Sequence, residues 1–217
     1  PDNENLWDLN NFENFLITRR EMLATSINNF LNNITDNDPI IERNAINIED
    51  IIFNGENHAV EFKKSIRWDF NKEENDKARE DDIIKCIAAF GNSEDGGTLF
   101  IGVSDDQEII GLEADYKCLT KKKNGNKDTF ENHLREVTTR EFGVVFSSQK
   151  INVSFPNVNN YEICMVDVEP ISKASDLLFV SKKDTNGQTK KILYLRSGNS
   201  SRIIPQEEME AFIRERF

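Results

Sequence analysis

The amino-acid sequence predicts an α+β domain with a mixed, largely antiparallel sheet and flanking helices, preceded by an N-terminal helical arm. The first observation is at residues 83–90, where apolar side chains recur at the spacing of one buried helix face. The second is the apolar run at residues 98–103, whose length fits a strand covered on both faces. The third is the last third of the chain, which consists of short strand-like segments separated by turn residues.

The helical arm is predicted over residues 1–46, ahead of the main domain at residues 47–217. Residues 9–34 carry eight apolar side chains at helical spacing, and the segment ITDNDP ends the pattern. This helix packs on the main domain, on a second subunit or on a neighbouring domain outside this chain. Its acidity argues against a membrane-surface helix. The chain begins with Pro1 rather than methionine, which favours a piece of a longer protein.

The first half of the main domain contains two further predicted helices. A short helix begins at Asn47 and ends at the Asn54-Gly55 pair. Residues 56–65 end in strand-like alternation, and residues 71–82 are charged enough to predict a solvated loop. A lysine-rich connection at residues 116–129 then leads to an amphipathic helix at residues 129–142.

The last third of the domain is predicted to form hairpins and a final helix. Turn residues at 157–160 and at 185–187 each separate two strand-like segments. Pro205 opens the final helix, with acids in its first turn and arginines in its last. The predicted strands are residues 144–148, 150–155, 161–168, 177–180 and 191–196.

Charge is unevenly distributed along the chain. The net charge of −12 counts against a generic nucleic-acid-binding protein, because such proteins usually carry a basic surplus. Residues 1–60 hold 3 basic and 11 acidic side chains, a charge of −8, so the remaining 157 residues account for −4. The main domain is therefore nearly balanced and has room for local basic clusters.

The cysteines and the hydropathy pattern predict a cytoplasmic protein. Cys86, Cys118 and Cys164 lie far apart and lack CxxC spacing, so neither a disulfide framework nor a structural zinc site is predicted. No secretory signal is present, and no apolar run approaches the roughly 20 residues that span a bilayer. We therefore expect no membrane association.

Glu56, Glu61 and Asp105 form the one group of side chains that could run a reaction. Converging carboxylates bind Mg²⁺ or Mn²⁺, and such a metal activates water and neutralises charge on a phosphate. Spacing alone does not show convergence, because five residues along an unbroken strand place the two glutamates on opposite faces. A bend near Asn57 or His58 is required. His58 could act as a general base, although a surface position in that bend fits it better.

Cationic side chains near these acids predict contacts with nucleic acid. In a strand, Lys63 shares a face with Glu61, where it could hold a phosphate. Arg196 and Arg202 bracket residues 197–201, whose hydroxyls and amides suit phosphate oxygens, although a plain hairpin end is the alternative. The predicted nucleic-acid-binding residues are Lys63, Lys64, Arg67, Lys121, Lys122, Lys123, Arg196 and Arg202.

Three separated blocks resemble one known family. The segment AAFGNSEDGGTLFIGVSDD, with Glu61-Phe62-Lys63 before it and YLRSGNSSR after it, resembles the Schlafen-type AlbA-like domain over residues 48–217. The resemblance implies action on nucleic acid, RNA more than DNA, and a homodimer that encloses the substrate between two copies of the fold. In the ribonuclease-active members, two glutamates five residues apart join an aspartate that follows the glycine-led strand.

By motif, the resemblance places these three acids on Glu56, Glu61 and Asp105. Asp106 is the alternative aspartate, because Ser104 departs from the family pattern and can introduce its own turn.

Two functions are consistent with these observations. The first is a divalent-metal-dependent endonuclease in which the three acids, with Asp106 as a further ligand, hold Mg²⁺ or Mn²⁺. The second is a non-catalytic nucleic-acid-binding or targeting module of a larger protein or complex. An ATP site is not predicted, because the sequence contains no GxxxxGK[ST] motif.

Overall fold

The computed structural model describes residues 47–120 and 125–217. The chain divides into two units, Pro1–Ala45 and Ile46–Phe217, and every described residue belongs to the second. The predicted arm helix and Lys121, Lys122 and Lys123 lie outside the described residues. Within these ranges every helix is too short or too polar to cross a membrane.

The described chain contains six α-helices and eleven β-strands. The helices are α1 (Ile48–Asn54), α2 (Ala78–Asn92), α3 (Glu113–Cys118), α4 (Lys127–Phe142), α5 (Val144–Gln149) and α6 (Met209–Arg216). The strands are β1 (Val60–Lys63), β2 (Trp68–Asp69), β3 (Glu74–Asn75), β4 (Gly97–Ile101), β5 (Ile151–Ser154), β6 (Asn157–Val158), β7 (Tyr161–Glu162), β8 (Cys164–Val168), β9 (Phe179–Lys183), β10 (Thr189–Ser197) and β11 (Ser200–Ile203). Two 3₁₀ turns lie at Ala174–Asp176 and Gln206–Glu208.

The main sheet has the strand order β1-β4-β8-β5. β1 pairs with β4 in parallel, whereas β4 with β8 and β8 with β5 pair antiparallel. Leu99, Phe100 and Ile101 are consecutive and fully buried. Because successive side chains of a strand point to opposite faces, Leu99 and Ile101 join the core around α2, and Phe100 joins a second core beneath α1. This arrangement confirms the predicted α+β class and the doubly covered central strand.

A second, antiparallel sheet has the order β11-β10-β9 and is fixed to the end of α2 by Asn92. Asn92 is fully buried, and its Nδ2 donates to the carbonyl oxygens of Leu178 and Tyr194 at 2.9 and 3.1 Å. Its Oδ1 accepts the Leu178 N–H at 2.9 Å. One amide therefore satisfies three buried backbone groups and joins the helix to the sheet.

The turn between α2 and β4 requires glycine for close packing. A Cβ added at Gly97 would lie 2.2 Å from Phe90 Cδ1 and 2.9 Å from the Ala59 carbonyl oxygen. Gly96 beside it has a φ of +71°, which side chains rarely adopt. The two glycines thus let the helix turn directly into the strand that it covers.

Several predicted elements agree with the structure. Asn47 caps α1 by accepting the Glu49 N–H at 3.1 Å, and Gly55 ends the helix. The predicted amphipathic helix corresponds to α4, and the two turn signals lie in the β6–β7 and β9–β10 hairpins.

The strand predicted at residues 144–148 is wrong, because this segment forms α5. Val144 and Val145 have strand propensity, yet they are 62% and 65% exposed. Phe146 packs inward, in an edge-to-face contact with Phe142 at 5.6 Å between ring centroids. Packing after the turn at Gly143 therefore overrides local β propensity.

The solvated loop predicted at residues 71–82 is also wrong in part. Its first half continues the β2–β3 hairpin, and α2 begins at Ala78. Glu80 is buried because Arg67, His133 and Arg140 surround its carboxylate. β2, β3, α3 and β11 were not predicted as separate elements.

Candidate functional site

A groove of about 640 Å³ opens beside the end of β1. Its walls come from five parts of the chain: β1 and the loop after it, the β2–β3 hairpin, α2, the loop after β4 and the β10–β11 turn. The lining residues are Glu61, Lys63, Lys64, Ser65, Trp68, Asp69, Phe70, Asn71, Arg79, Asp82, Lys85, Cys86, Asp105, Asn199, Ser200 and Ser201.

The parallel pairing of β1 and β4 brings the sequence blocks together. Glu61 lies opposite Leu99 and Lys63 opposite Ile101, so both strands end at the same edge of the sheet. The Gly102 N–H donates to the Lys63 carbonyl at 2.8 Å and continues this pairing. Asp105, four residues beyond the end of β4, consequently reaches the groove that begins at Glu61.

The bend required between the two glutamates is present. The Asn57 N–H donates to the Val60 carbonyl at 3.0 Å, and Asn57 Oδ1 accepts the Ala59 N–H at 2.8 Å. Glu56 folds back over β1, where its Oε1 accepts the Phe62 N–H at 2.8 Å. Because of this bend, Glu56 and Glu61 are not forced onto opposite faces of one straight strand.

The pKa of Glu56 is affected by the charges of the other two acids. Burial raises the pKa of Glu56, and the negative charges of Glu61 and Asp105 raise it further. The hydrogen bond from the Phe62 N–H opposes this rise without cancelling it. Glu56 is therefore close enough to Glu61 and to Asp105 for their charges to affect its pKa.

Glu61 is ion-paired through both carboxylate oxygens. Its Oε1 accepts from Lys63 Nζ at 2.6 Å, and its Oε2 accepts from Arg196 Nη1 at 2.5 Å. Cys86 Sγ lies 3.7 Å from Oε1. Burial alone would raise the pKa of Glu61, but the two cations hold this pKa below its ordinary value. The carboxylate is thus ionised and its charge is compensated.

Arg196 fixes β10 to the bend between the two glutamates. Its side chain is 2% exposed, and its Nη2 and Nε donate to the carbonyls of Asn57 and His58 at 2.6 and 3.3 Å. The guanidinium also lies over the Phe90 ring, 4.9 Å from its centroid. Arg196 therefore supports the wall of the groove from behind.

The other predicted cations divide into two sets. Lys63 and Lys64 line the groove, whereas Arg67 pairs with Glu80 and Arg202 lies on the exposed part of β11. His58 is exposed in the bend, as its surface interpretation predicted.

The three acids do not fit a divalent metal ion in this arrangement. Across residues 47–120 and 125–217, no group of three or more His, Cys, Asp or Glu side chains is placed to hold one. Both oxygens of Glu61 already face cations. Asp105 lines the groove and Asp106 does not. Both lie in the turn that Ser104 closes, where Ser104 Oγ accepts the Glu108 N–H at 3.0 Å.

The groove is balanced in charge. Four acidic and four basic side chains line it, so the formal charge of the lining is 4 − 4 = 0. Arg79 forms two ion pairs: its Nη2 lies 3.7 Å from Asp69 Oδ2, and its Nη1 lies 3.6 Å from Asp82 Oδ2. Lys64 and Asp105 have no ion pair with any residue that the structure describes, and Lys85 lies over the Tyr194 ring at 5.7 Å.

Asp115 is a positioning residue that the sequence analysis missed. Its buried carboxylate accepts from Ser65 Oγ at 2.6 Å and from the N–H groups of Ile66, Arg67 and Trp68 at 3.0, 3.0 and 3.2 Å. Burial raises the pKa of Asp115, and these hydrogen bonds oppose the rise. No local sequence signal indicates this role, because Asp115 lies next to a segment predicted to be a lysine-rich connection.

One family model matches most of the described domain. A family model described as "Schlafen, AlbA_2" matches residues 56–205. No curated protein matches this chain significantly. Among solved structures, the DIP2311 protein from Corynebacterium diphtheriae is similar at 18% identity and a TM-score of 0.45, over 92% of this chain and 34% of that one. This chain therefore spans about a third of the length of that protein.

Proposed function

This chain belongs to the Schlafen AlbA_2 family, and from that membership we propose that the groove beside β1 binds nucleic acid, RNA in preference to DNA. The observation that carries the proposal is the meeting of three sequence blocks at one groove: the end of β1, the loop after β4 and the β10–β11 turn.

The lining of the groove suits a sugar-phosphate backbone. Lys64 and Lys85 provide ammonium groups that are free of ion pairs with the described residues. Asn199, Ser200 and Ser201 line the same groove and provide an amide and hydroxyls, and such groups bind phosphate and ribose oxygens. The neutral lining limits the number of phosphate contacts, so recognition depends on these few side chains.

Salt dependence and lysine variants test this proposal. Fluorescence anisotropy would measure the affinity of labelled RNA and DNA for the wild type and for the Lys64→Ala/Lys85→Ala double variant. With two phosphates neutralised on a single strand, log K should fall with log salt at a slope of about −1.4, and the double variant should bring the slope near zero.

The matched control is Lys173→Ala/Lys183→Ala, which removes two exposed lysines outside the groove. It should leave the affinity and the slope unchanged. Equal losses in the two double variants, or a wild type that binds no nucleic acid, would overturn the proposal.

Metal-dependent cleavage is the second candidate function. The observation that favours it is the location of the three acids: Glu61 and Asp105 line the same groove, and Glu56 folds back over β1, where its Oε1 accepts the Phe62 N–H. Cleavage of this kind requires Glu61 to exchange Lys63 and Arg196 for a cation.

Labelled RNA incubated with Mn²⁺ or with EDTA would test cleavage. Asp105→Asn alters an exposed acid in the groove. Asp106→Asn is the matched control, because Asp106 is the adjacent acid and does not line the groove. Products that need metal, vanish in Asp105→Asn and in Glu61→Ala, and persist in Asp106→Asn would support the endonuclease. A wild type that binds RNA without cutting it would contradict the endonuclease and support the non-catalytic binding module.

A homodimer is part of the same proposal, since a second copy would close the open side of the groove. Sedimentation of the chain with and without RNA would measure its oligomeric state. A monomer in both conditions would contradict enclosure by two copies.

A further inference from the structure

Two aromatic side chains mark one end of the groove and have no part in the contacts described above. Trp68 and Phe70 line the groove, and both also line an adjoining cavity of about 320 Å³. They therefore form the ridge between the two spaces. Phe70 is 36% exposed, so part of its ring is open to a ligand in the groove.

On the premise that the groove binds a nucleic-acid backbone, we propose that Trp68 and Phe70 stack on an unpaired nucleobase whose edge enters the adjoining cavity. The preferred substrate is then a single strand, or an unpaired nucleotide next to a duplex. A base inside a duplex is already stacked and paired, so it cannot present its face to these rings.

The aromatic ridge is held rigidly by the backbone. Trp68 pairs with Asn75 in the β2–β3 hairpin, and its N–H is directed at Ser65 Oγ and at the buried Asp115. Asp69 Oδ1 accepts the N–H groups of the two residues after Phe70, at 2.9 and 3.1 Å, which fixes the turn that carries the ring. A ridge ordered before binding loses little conformational entropy when a base stacks on it.

The adjoining cavity matches the chemistry of a base edge. Ile110, Gly111 and Ala114 give it apolar walls, and Glu113 and Lys117 add one acceptor and one donor. A carboxylate accepts from an exocyclic amine, and an ammonium group donates to a base carbonyl. The cavity volume of about 320 Å³ lies at the lower end of the range for small-ligand sites, about 300–1,000 Å³.

The neutral charge of the groove increases the importance of stacking. Few free lysines mean few phosphate contacts, so affinity must come in part from contacts that do not depend on charge. Removal of one stacking side chain lowers affinity by about 5- to 150-fold in single-strand-binding proteins. Loss of Trp68 or Phe70 should therefore be measurable against this weak electrostatic background.

The test compares three labelled ligands of matched sequence: a single strand, a blunt duplex and the same duplex with a short overhang. Anisotropy would measure their affinities for the wild type and for Phe70→Ala, Trp68→Ala and Trp68→Phe. The alanine variants should lose at least about fivefold on the single strand and the overhang, with the blunt duplex unchanged, and Trp68→Phe should keep most of the affinity.

Phe53→Ala is the matched control, because Phe53 is 81% exposed and lies outside both cavities. It should change no affinity. Trp68→Ala removes a partly buried ring and can therefore destabilise the fold. Phe70→Ala removes an exposed ring, and intrinsic fluorescence needs no change at Trp68, so these two measurements do not depend on that variant folding. The chain has two tryptophans, so in a Trp7→Phe background the emission reports Trp68, and a single strand should quench it.

The outcomes separate this inference from the proposed function. Equal losses on the single strand and the blunt duplex, unchanged affinity in Phe70→Ala, or unquenched Trp68 emission would overturn base stacking, and the backbone-binding proposal would stand. A wild type that binds none of the three ligands would overturn both.

Discussion

Glu80 should make the stability of this domain depend on pH. It is 2% exposed, its Oε1 lies 2.9 Å from His133 Nε2, and Arg67 and Arg140 also face its carboxylate. Burial alone would raise the pKa of Glu80, but His133 and Arg67 hold it at about 2, against an ordinary value of 4.5. The ionised carboxylate is therefore strongly favoured in the folded protein.

The magnitude follows from the difference between the two pKa values. With a difference of 4.5 − 2 = 2.5 and about 1.36 kcal/mol per pH unit, ionised Glu80 contributes about 3 kcal/mol to the free energy of unfolding. Because the folded-state pKa is the lower one, this stabilisation is complete above about pH 5 and is lost as the pH falls toward 2. By about pH 3, roughly 2 kcal/mol of it should be gone.

Urea unfolding of the wild type and of Glu80→Gln, followed by circular dichroism across this pH range, would measure the effect. Glu80→Gln should lower the free energy of unfolding by about 3 kcal/mol near neutral pH. Near pH 3 the difference in free energy of unfolding between the wild type and the variant should fall to about 1 kcal/mol. Glu131→Gln, which removes an exposed partner of Arg135, should cost about 0.5 kcal/mol or less. Parallel pH profiles for Glu80→Gln and the wild type would refute this reasoning.

Three further outcomes are expected. Asn92→Leu leaves buried backbone groups without partners and should lower the free energy of unfolding by about 2–4 kcal/mol; thermal denaturation measures this, and a loss below about 1 kcal/mol would contradict the role of the amide. Gly97→Ala should cost more than Gly187→Ala in the same assay, because a Cβ at Gly187 meets no atom within 4 Å whereas the one at Gly97 overlaps a ring. Burial raises the pKa of the Cys86 and Cys118 thiols to about 12, so a thiol reagent should label native protein far more slowly than denatured protein, and equal rates would contradict this burial.

The parts of the fold that were predicted correctly depend on local signals. Asn47 and Gly55 cap a short helix through their own backbone and side-chain preferences, and the run that became β4 is apolar because both of its faces are covered. Such signals lie within a few residues of the element that they specify. These signals were sufficient to predict the fold class, the central strand and two hairpins.

The errors arise where distant contacts decide the structure. Nothing near Val144 and Val145 indicates a helix, because the choice depends on how Phe146 packs after the turn at Gly143. Glu80 was assigned to a solvated loop because Arg67, His133 and Arg140, which contact its buried carboxylate, come from other parts of the chain. Sequence periodicity does not contain this information.

The candidate site shows the same division. The need for a bend between Glu56 and Glu61 could be worked out from strand geometry, and the structure contains it. The presence of Asp105 rather than Asp106 in the groove depends on the turn made by Ser104. Asp115 could not be found from sequence, since its partners lie 47 to 50 residues away.

The ion pair between Arg196 and Glu61 has a consequence for synthesis of the protein. The two residues are 135 positions apart, so at about 5–20 residues per second a ribosome makes Arg196 roughly 7 to 27 seconds after Glu61. During that interval the β1 carboxylate has no guanidinium partner, and the wall formed by the β10–β11 turn does not yet exist. A nascent chain therefore carries no finished groove, and the site is completed only when the end of the domain has been translated.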